Sequence, residues 1–109
     1  MDNKKYKINA EDIKKLINSS GSCIVSDKIT VEGLKVGYMY RENPTNENDS
    51  GWRFFAGDES EEYTNNANNF EIYDLNTICN YDESIIPYLN SNIGTSFEKE
   101  NNVFRKIAD

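Results

Sequence analysis

The sequence predicts an α+β fold in one small domain, a mainly antiparallel sheet with an N-terminal helix and short helices after the central strands. Three observations lead to it. Leu34, Val36, Tyr38 and Tyr40 alternate with Lys35, Gly37, Met39 and Arg41, the period of two expected of a strand with one face in the core. Trp52-Arg53-Phe54-Phe55-Ala56, entered through Asp49-Ser50-Gly51 and left through Gly57-Asp58, carries an aromatic residue on each face and reads as a central strand. Apolar residues recur at i, i+3, i+4 in Ile13-Leu16-Ile17 and again in Leu75-Ile78-Cys79, the spacing of short amphipathic helices. A chain of 109 residues has room for a single core.

The elements follow in order. Asn9 is the expected cap of an N-terminal helix over about residues 10–19, with Gly21 as its terminator. Cys23-Ile24-Val25 is a β-branched run between polar turns and predicts a short strand buried on both faces. The alternating strand comes next. Gly37 at its centre marks a bulge or leaves room for a large ring, with Trp52 or Phe54 expected there. The polar run Asn43 to Gly51 predicts an exposed hairpin connection into the aromatic strand. Trp52, Phe54 and Ala56 then face one side, and Trp52 and Tyr38 are expected in the core. After a polar loop with room for one helical turn, Phe70-Glu71-Ile72-Tyr73 returns as a strand and Asp74 caps the helix holding Leu75, Ile78 and Cys79. Pro87 is best tolerated in a first turn, which places the start of the next short helix after Ser84, burying Ile85, Ile86 and Leu89. Thr95-Phe97 and Val103-Ile107 form an expected closing hairpin.

Composition narrows the chemistry. The chain has no histidine, which removes Ser-His and Cys-His nucleophile pairs, histidine bases and most zinc sites. Cys23 and Cys79 sit among Ile, Val or Thr and are expected as buried, reduced thiols. The charged N-terminus has no apolar stretch behind it and no window approaches a membrane span, so a cytoplasmic protein without a membrane partner is expected. The net charge of -7 is unevenly spread. Residues 1–41 hold eight Lys/Arg against five Asp/Glu, whereas residues 42–83 hold Arg53 alone against eleven Asp/Glu. An acidic segment of this density repels nucleic acid and suits a basic protein partner. Aromatic stacking on RNA is disfavoured for the same reason.

The densest acid lies in Asp58, Glu59, Glu61 and Glu62, beside Tyr63. A calcium loop would need glycine at its sixth position and glutamate at its twelfth, but counting from Asp58 these are Tyr63 and Asn69. Gly51 and Gly57 make no phosphate loop, since no Lys-Ser/Thr follows. No metal, cofactor or catalytic set is therefore expected. Asp58, Glu59, Glu61, Glu62 and Tyr63 are instead candidate partner contacts, weighed against a purely solubilising surface.

Six stretches carry a resemblance: Cys23-Ile24-Val25-Ser26, Val36 to Glu42, Gly51-Trp52-Arg53-Phe54-Phe55-Ala56-Gly57-Asp58-Glu59, Ile72 to Ile78, Ile85-Ile86-Pro87-Tyr88-Leu89 and Gly94 to Glu98. In this order they resemble the bacterial immunity-protein-thirty-three-like family, formerly a domain of unknown function, over about residues 22–98. Glu83 departs from the proline expected in relatives. The resemblance implies a small α+β domain that protects a bacterium by binding and blocking a toxin, and it brings no catalytic motif. The competing expectation is a small cytoplasmic regulatory or interaction module with no toxin to oppose.

Overall fold

The computed structural model describes residues 4–18 and 21–107. Its frame is one six-stranded mixed sheet in the order β4-β1-β3-β2-β5-β6, built from β1 (Ser22–Ser26), β2 (Tyr38–Arg41), β3 (Asp49–Phe55), β4 (Phe70–Asp74), β5 (Ser96–Glu100) and β6 (Val103–Ile107). Four of the five pairings are antiparallel, and β1 runs parallel to β3. The short helices α1 (Asp27–Thr30) and α3 (Leu75–Tyr81) and a 3-10 helix over Glu83–Tyr88 cover one face, and α2 (Glu61–Thr64) follows the central strand β3. No helix among the described residues is long and apolar enough to cross a membrane.

The core lies between the sheet and the helices. Cys23, Val25, Met39, Trp52 and Phe54 from the sheet meet Ile29, Ile78, Cys79 and Ile85, all fully buried. Trp52 stacks on Phe54 with ring centroids 5.9 Å apart, and its indole N-H donates to the Leu89 carbonyl at 3.1 Å, so the one polar atom of this large side chain is satisfied. Both thiols are free and buried. Burial pushes them up, Cys79 to about 11, so neither is a thiolate at neutral pH. The closing hairpin turns tightly through Asn101 and Asn102, both at positive φ, the geometry of a two-residue primed turn.

Six expectations need correction. The predicted N-terminal helix over about 10–19 is a single 3-10 turn, Ala10–Asp12, followed through residue 18 by a non-helical strap, and the end of the predicted span lies outside the described residues. The side chains of Asn76 and Asn80 on α3 hold that strap: Asn80 Oδ1 accepts from the Lys14 N-H at 2.9 Å and Asn76 Oδ1 from the Leu16 N-H at 2.7 Å, while both amide groups donate to the Lys14 carbonyl. A helix would spend those backbone groups on itself.

The second and third corrections concern β2. Its core residue is Met39, in register with Phe54 and Phe97, while Tyr38 and Tyr40 lie half-buried on the opposite face and Leu34 is exposed. Val36 and Met39 are both buried, so the alternation changes phase at Gly37. No ring fills the space at Gly37. A Cβ there would lie 2.0 Å from the Ala56 carbonyl oxygen, so glycine permits a close backbone approach. The fourth is Tyr38, which is outside the core that holds Trp52. The fifth is the helix start. Asp82 caps the 3-10 helix, accepting from the Ser84 N-H at 3.0 Å, and Pro87 sits inside it. The sixth is β1, which is buried alternately, with Ile24 only partly covered.

Candidate functional site

The acid run folds as a turn at the exit of β3. Glu59 bends back and accepts from the backbone N-H groups of Ala56 at 2.7 Å and Gly57 at 2.9 Å, so it shapes the turn. Ser60 caps α2 by accepting from the Tyr63 N-H at 3.0 Å, which sets Glu61 and Glu62 in the first turn, where acids complement the helix end. Both are exposed. Asp58 pairs with Lys28 at 3.1 Å, and the same ammonium lies 5.3 Å from the centre of the Tyr63 ring. Of the five candidate contacts, the structure thus leaves Glu61 and Glu62 facing solvent, pairs Asp58, and uses Glu59 internally. Tyr63 is half-buried.

Tyr63 leads onto the sheet face that the core helices leave uncovered. Its ring packs edge-on against Phe70 at 5.9 Å, Phe70 against Phe55 at 5.7 Å, and Phe55 against Tyr38 at 5.7 Å and Tyr40 at 5.8 Å. An unbroken aromatic band therefore crosses β4, β3 and β2. Register places Ile72 and Ile24 on the same face at the β4 end, with Ile72 69% exposed. Toward β6 the face becomes charged, with Glu98 beside Tyr38 and an exposed Arg105–Glu100 pair at 2.7 Å.

Arg53 lies under this face, only 2% exposed. Asp49 grips its guanidinium through two oxygens at 2.8 and 2.9 Å, and Glu42 accepts from Nε at 2.6 Å. The guanidinium, helped by N-H donors from Thr45 and Gly51, holds the Asp49 carboxyl well below the usual carboxylate range. Asp49 in turn raises Arg53 further, so the pair stays charged. A fork-on-carboxylate pair of this kind fixes the entry of β3 and the loop before it.

Two concavities border these residues. A polar one of about 570 Å³ lies at the sheet end between Gly21, Asn48, Asp74 and Leu89, with Arg41 in its wall. Arg41 is already spent on the carbonyls of Ser50 at 2.9 Å and Ser91 at 2.7 Å. The other, about 400 Å³, opens on the aromatic face between Tyr40, Glu42 and Ile93. Among the described residues no group of three or more His, Cys, Asp or Glu is placed to hold a metal ion.

Sequence reading found the acid turn and the aromatic strand but missed the aromatic band and the Arg53 network. The signal for the band was present in Tyr38 and Tyr40, two residues apart, in Phe55, which closes β3, and in Phe70, which opens β4, once Gly37 is allowed to shift the phase.

The family model for the immunity protein Imm33 domain matches residues 23–108 of this chain. No curated protein and no solved structure matches it.

Proposed function

The chain belongs to the Imm33 immunity protein family, and from that premise we propose that it binds a cognate bacterial toxin in the cytoplasm of the producing cell and neutralises it stoichiometrically, without catalysis. The family match carries this reading. The uncovered aromatic face supports it, since a contiguous apolar patch rimmed by charge is the kind of surface that proteins use to meet one another. We place the toxin on this face, with the acid turn at its margin: Asp58, Glu61, Glu62 and Tyr63 contact or steer a basic partner, and Glu59 contributes by shaping the turn.

Co-expression with a toxin from a gene found next to this one tests the reading. Growth should be rescued, and the purified proteins should form a stable complex. No rescue and no complex would overturn it. In the complex, a variant carrying Asp58→Asn, Glu61→Gln and Glu62→Gln, with Glu59 intact, should keep its melting temperature, associate more slowly and show a flatter salt dependence, because rim charges act mainly on the association rate. Unchanged kinetics at low and physiological salt would remove the acid turn from the interface.

A further inference from the structure

Resting on that reading, we propose that the cleft beside Tyr40 receives an arginine side chain of the partner and thereby fixes its register on the sheet. The cleft has a rigid floor. Tyr40 stacks on Phe55 with the rings 16° from parallel, and Tyr38 packs against both at 5.7 to 5.8 Å. Its far wall, Ile93 and Gly94, is tied to β2 by hydrogen bonds from the Gly94 N-H to the Arg41 carbonyl at 2.7 Å and from the Arg41 N-H to the Thr95 carbonyl at 2.9 Å.

Two carboxylates bracket the rings. Glu98 stands next to Tyr38 in the β5 register, and Glu42 lines the mouth of the cleft. Glu42 uses one oxygen on Arg53 and is still 48% exposed, and Asp49 already balances the Arg53 charge. One negative charge of the trio is left over, at the cleft. Burial and the nearby Glu42 raise the Tyr40 hydroxyl, so its ring stays neutral and presents an electron-rich face. Arg41, which also lines the cleft, turns its guanidinium to the Ser50 and Ser91 carbonyls and leaves the space to an incoming group.

These features select the occupant by charge and shape. An apolar side chain would bury the remaining oxygen of Glu42 without a donor, and an acidic one would be repelled. A lysine ammonium would satisfy the charge, but a planar guanidinium can lie on a tyrosine face while its N-H edge meets a carboxylate. A buried arginine anchored between aromatic rings is also a recurrent source of binding energy at interfaces.

N-acetylarginine amide and its neutral isostere N-acetylcitrulline amide test the site without the toxin. In amide-resolved NMR titrations the arginine probe should shift Tyr40, Glu42, Thr95 and Ser96 saturably, with Kd on the order of millimolar. The citrulline probe should bind roughly tenfold more weakly. Ile93→Arg, at a position 49% exposed, puts a guanidinium at the mouth and should abolish the shifts and weaken toxin binding by about tenfold or more without moving the melting temperature. Glu42→Gln should act in the same direction, and Ile93→Arg keeps the test clear of the buried Arg53. Equal shifts from both probes, shifts spread over Glu61 and Glu62, or an Ile93→Arg protein with undiminished toxin affinity would each overturn the inference. If those results came with tight toxin binding by the unmodified protein, the proposed function would survive without the cleft. If the arginine probe bound as expected and the toxin did not, the toxin reading would be the one to fall.

Discussion

Arg53 and Asp49 show how much rests on one buried pair. Asp49→Asn leaves the buried Arg53 guanidinium with Glu42 as its one carboxylate in place of two, so it should cost about 3 kcal/mol in urea unfolding. The pH dependence has a definite sign. The folded carboxyl is depressed below its unfolded value near 4, so its contribution is complete above that value and fades as the pH falls below it. Asp82 acts the same way: burial pushes it up, but Ser84 and Lys99 outweigh burial and leave it lowered. Acid unfolding of Asp49→Asn should therefore show a shallower limb below about pH 4, and an unchanged limb would refute the assignment. Trp52 and Tyr38 separate core from surface. Trp52→Ala should cost about 3 to 5 kcal/mol, whereas Tyr38→Ala, on the open face, should stay folded with a much smaller loss. A folded, stable Trp52→Ala protein would contradict this. Trp52 and Phe54 were legible because strict alternation points both at one face. Asp49 was not, because its role depends on β3 starting at a residue that reads as turn, with Gly51 at φ 89° letting the chain curl so that Asp49 reaches Arg53.

At the scale of elements, local pattern and tertiary demand disagree most over the strap at residues 13–18. Ile13, Leu16 and Ile17 have helical spacing, yet as a helix this stretch would be marginal alone, and the two asparagines of α3 offer its backbone another set of partners. Asn76 and Asn80 are one turn apart, a spacing visible in the sequence, but nothing there says that they grip another segment. Asn76→Ala should raise hydrogen exchange at Leu16 and Ile17 while the β1 and β3 amides keep their protection. Equal loosening of both would show that the strap is integral to global folding. The same tension explains Asp82. Proline tolerance favoured Ser84 as the cap, but the Asp82 carboxylate also takes the Val36 N-H at 3.0 Å and the Lys99 ammonium at 3.1 Å, and those long-range partners decide where the 3-10 helix begins. Strands fared better than helices because their apolar positions are pinned by neighbouring strands, on both sides in all but the edge strands β4 and β6.

For the whole molecule, charge that is segregated along the chain does not become one acidic face. Lys28 and Lys99, from outside the acidic segment, return to Asp58 and Asp82, while Tyr6 and Tyr73 donate to Glu71, so folding distributes the charge of residues 42–83. What the open face retains is selective, at Glu42, Glu98 and the acid turn. The strand order has a further consequence, for synthesis. β1 leaves the ribosome before any other strand, yet its two neighbours are β3 and β4, and the residue pairs run from Ser22 with Asp49 to Ser22 with Asp74. A nascent chain halted after β3 possesses a β2–β3 hairpin and a one-sided parallel pair, with α3 and half of the core still unmade. Such long-range closure is slow, and exposed strand edges are vulnerable while it waits. Arrested chains should resist protease only once β4 and α3 have cleared the exit tunnel. Protection appearing with β3 alone would show that the first half is a folding unit in its own right. The strand that is translated first waits for β4, and β2 with the cleft beside Tyr40 waits longer, for β5, so the open face is completed only late in the protein's own production.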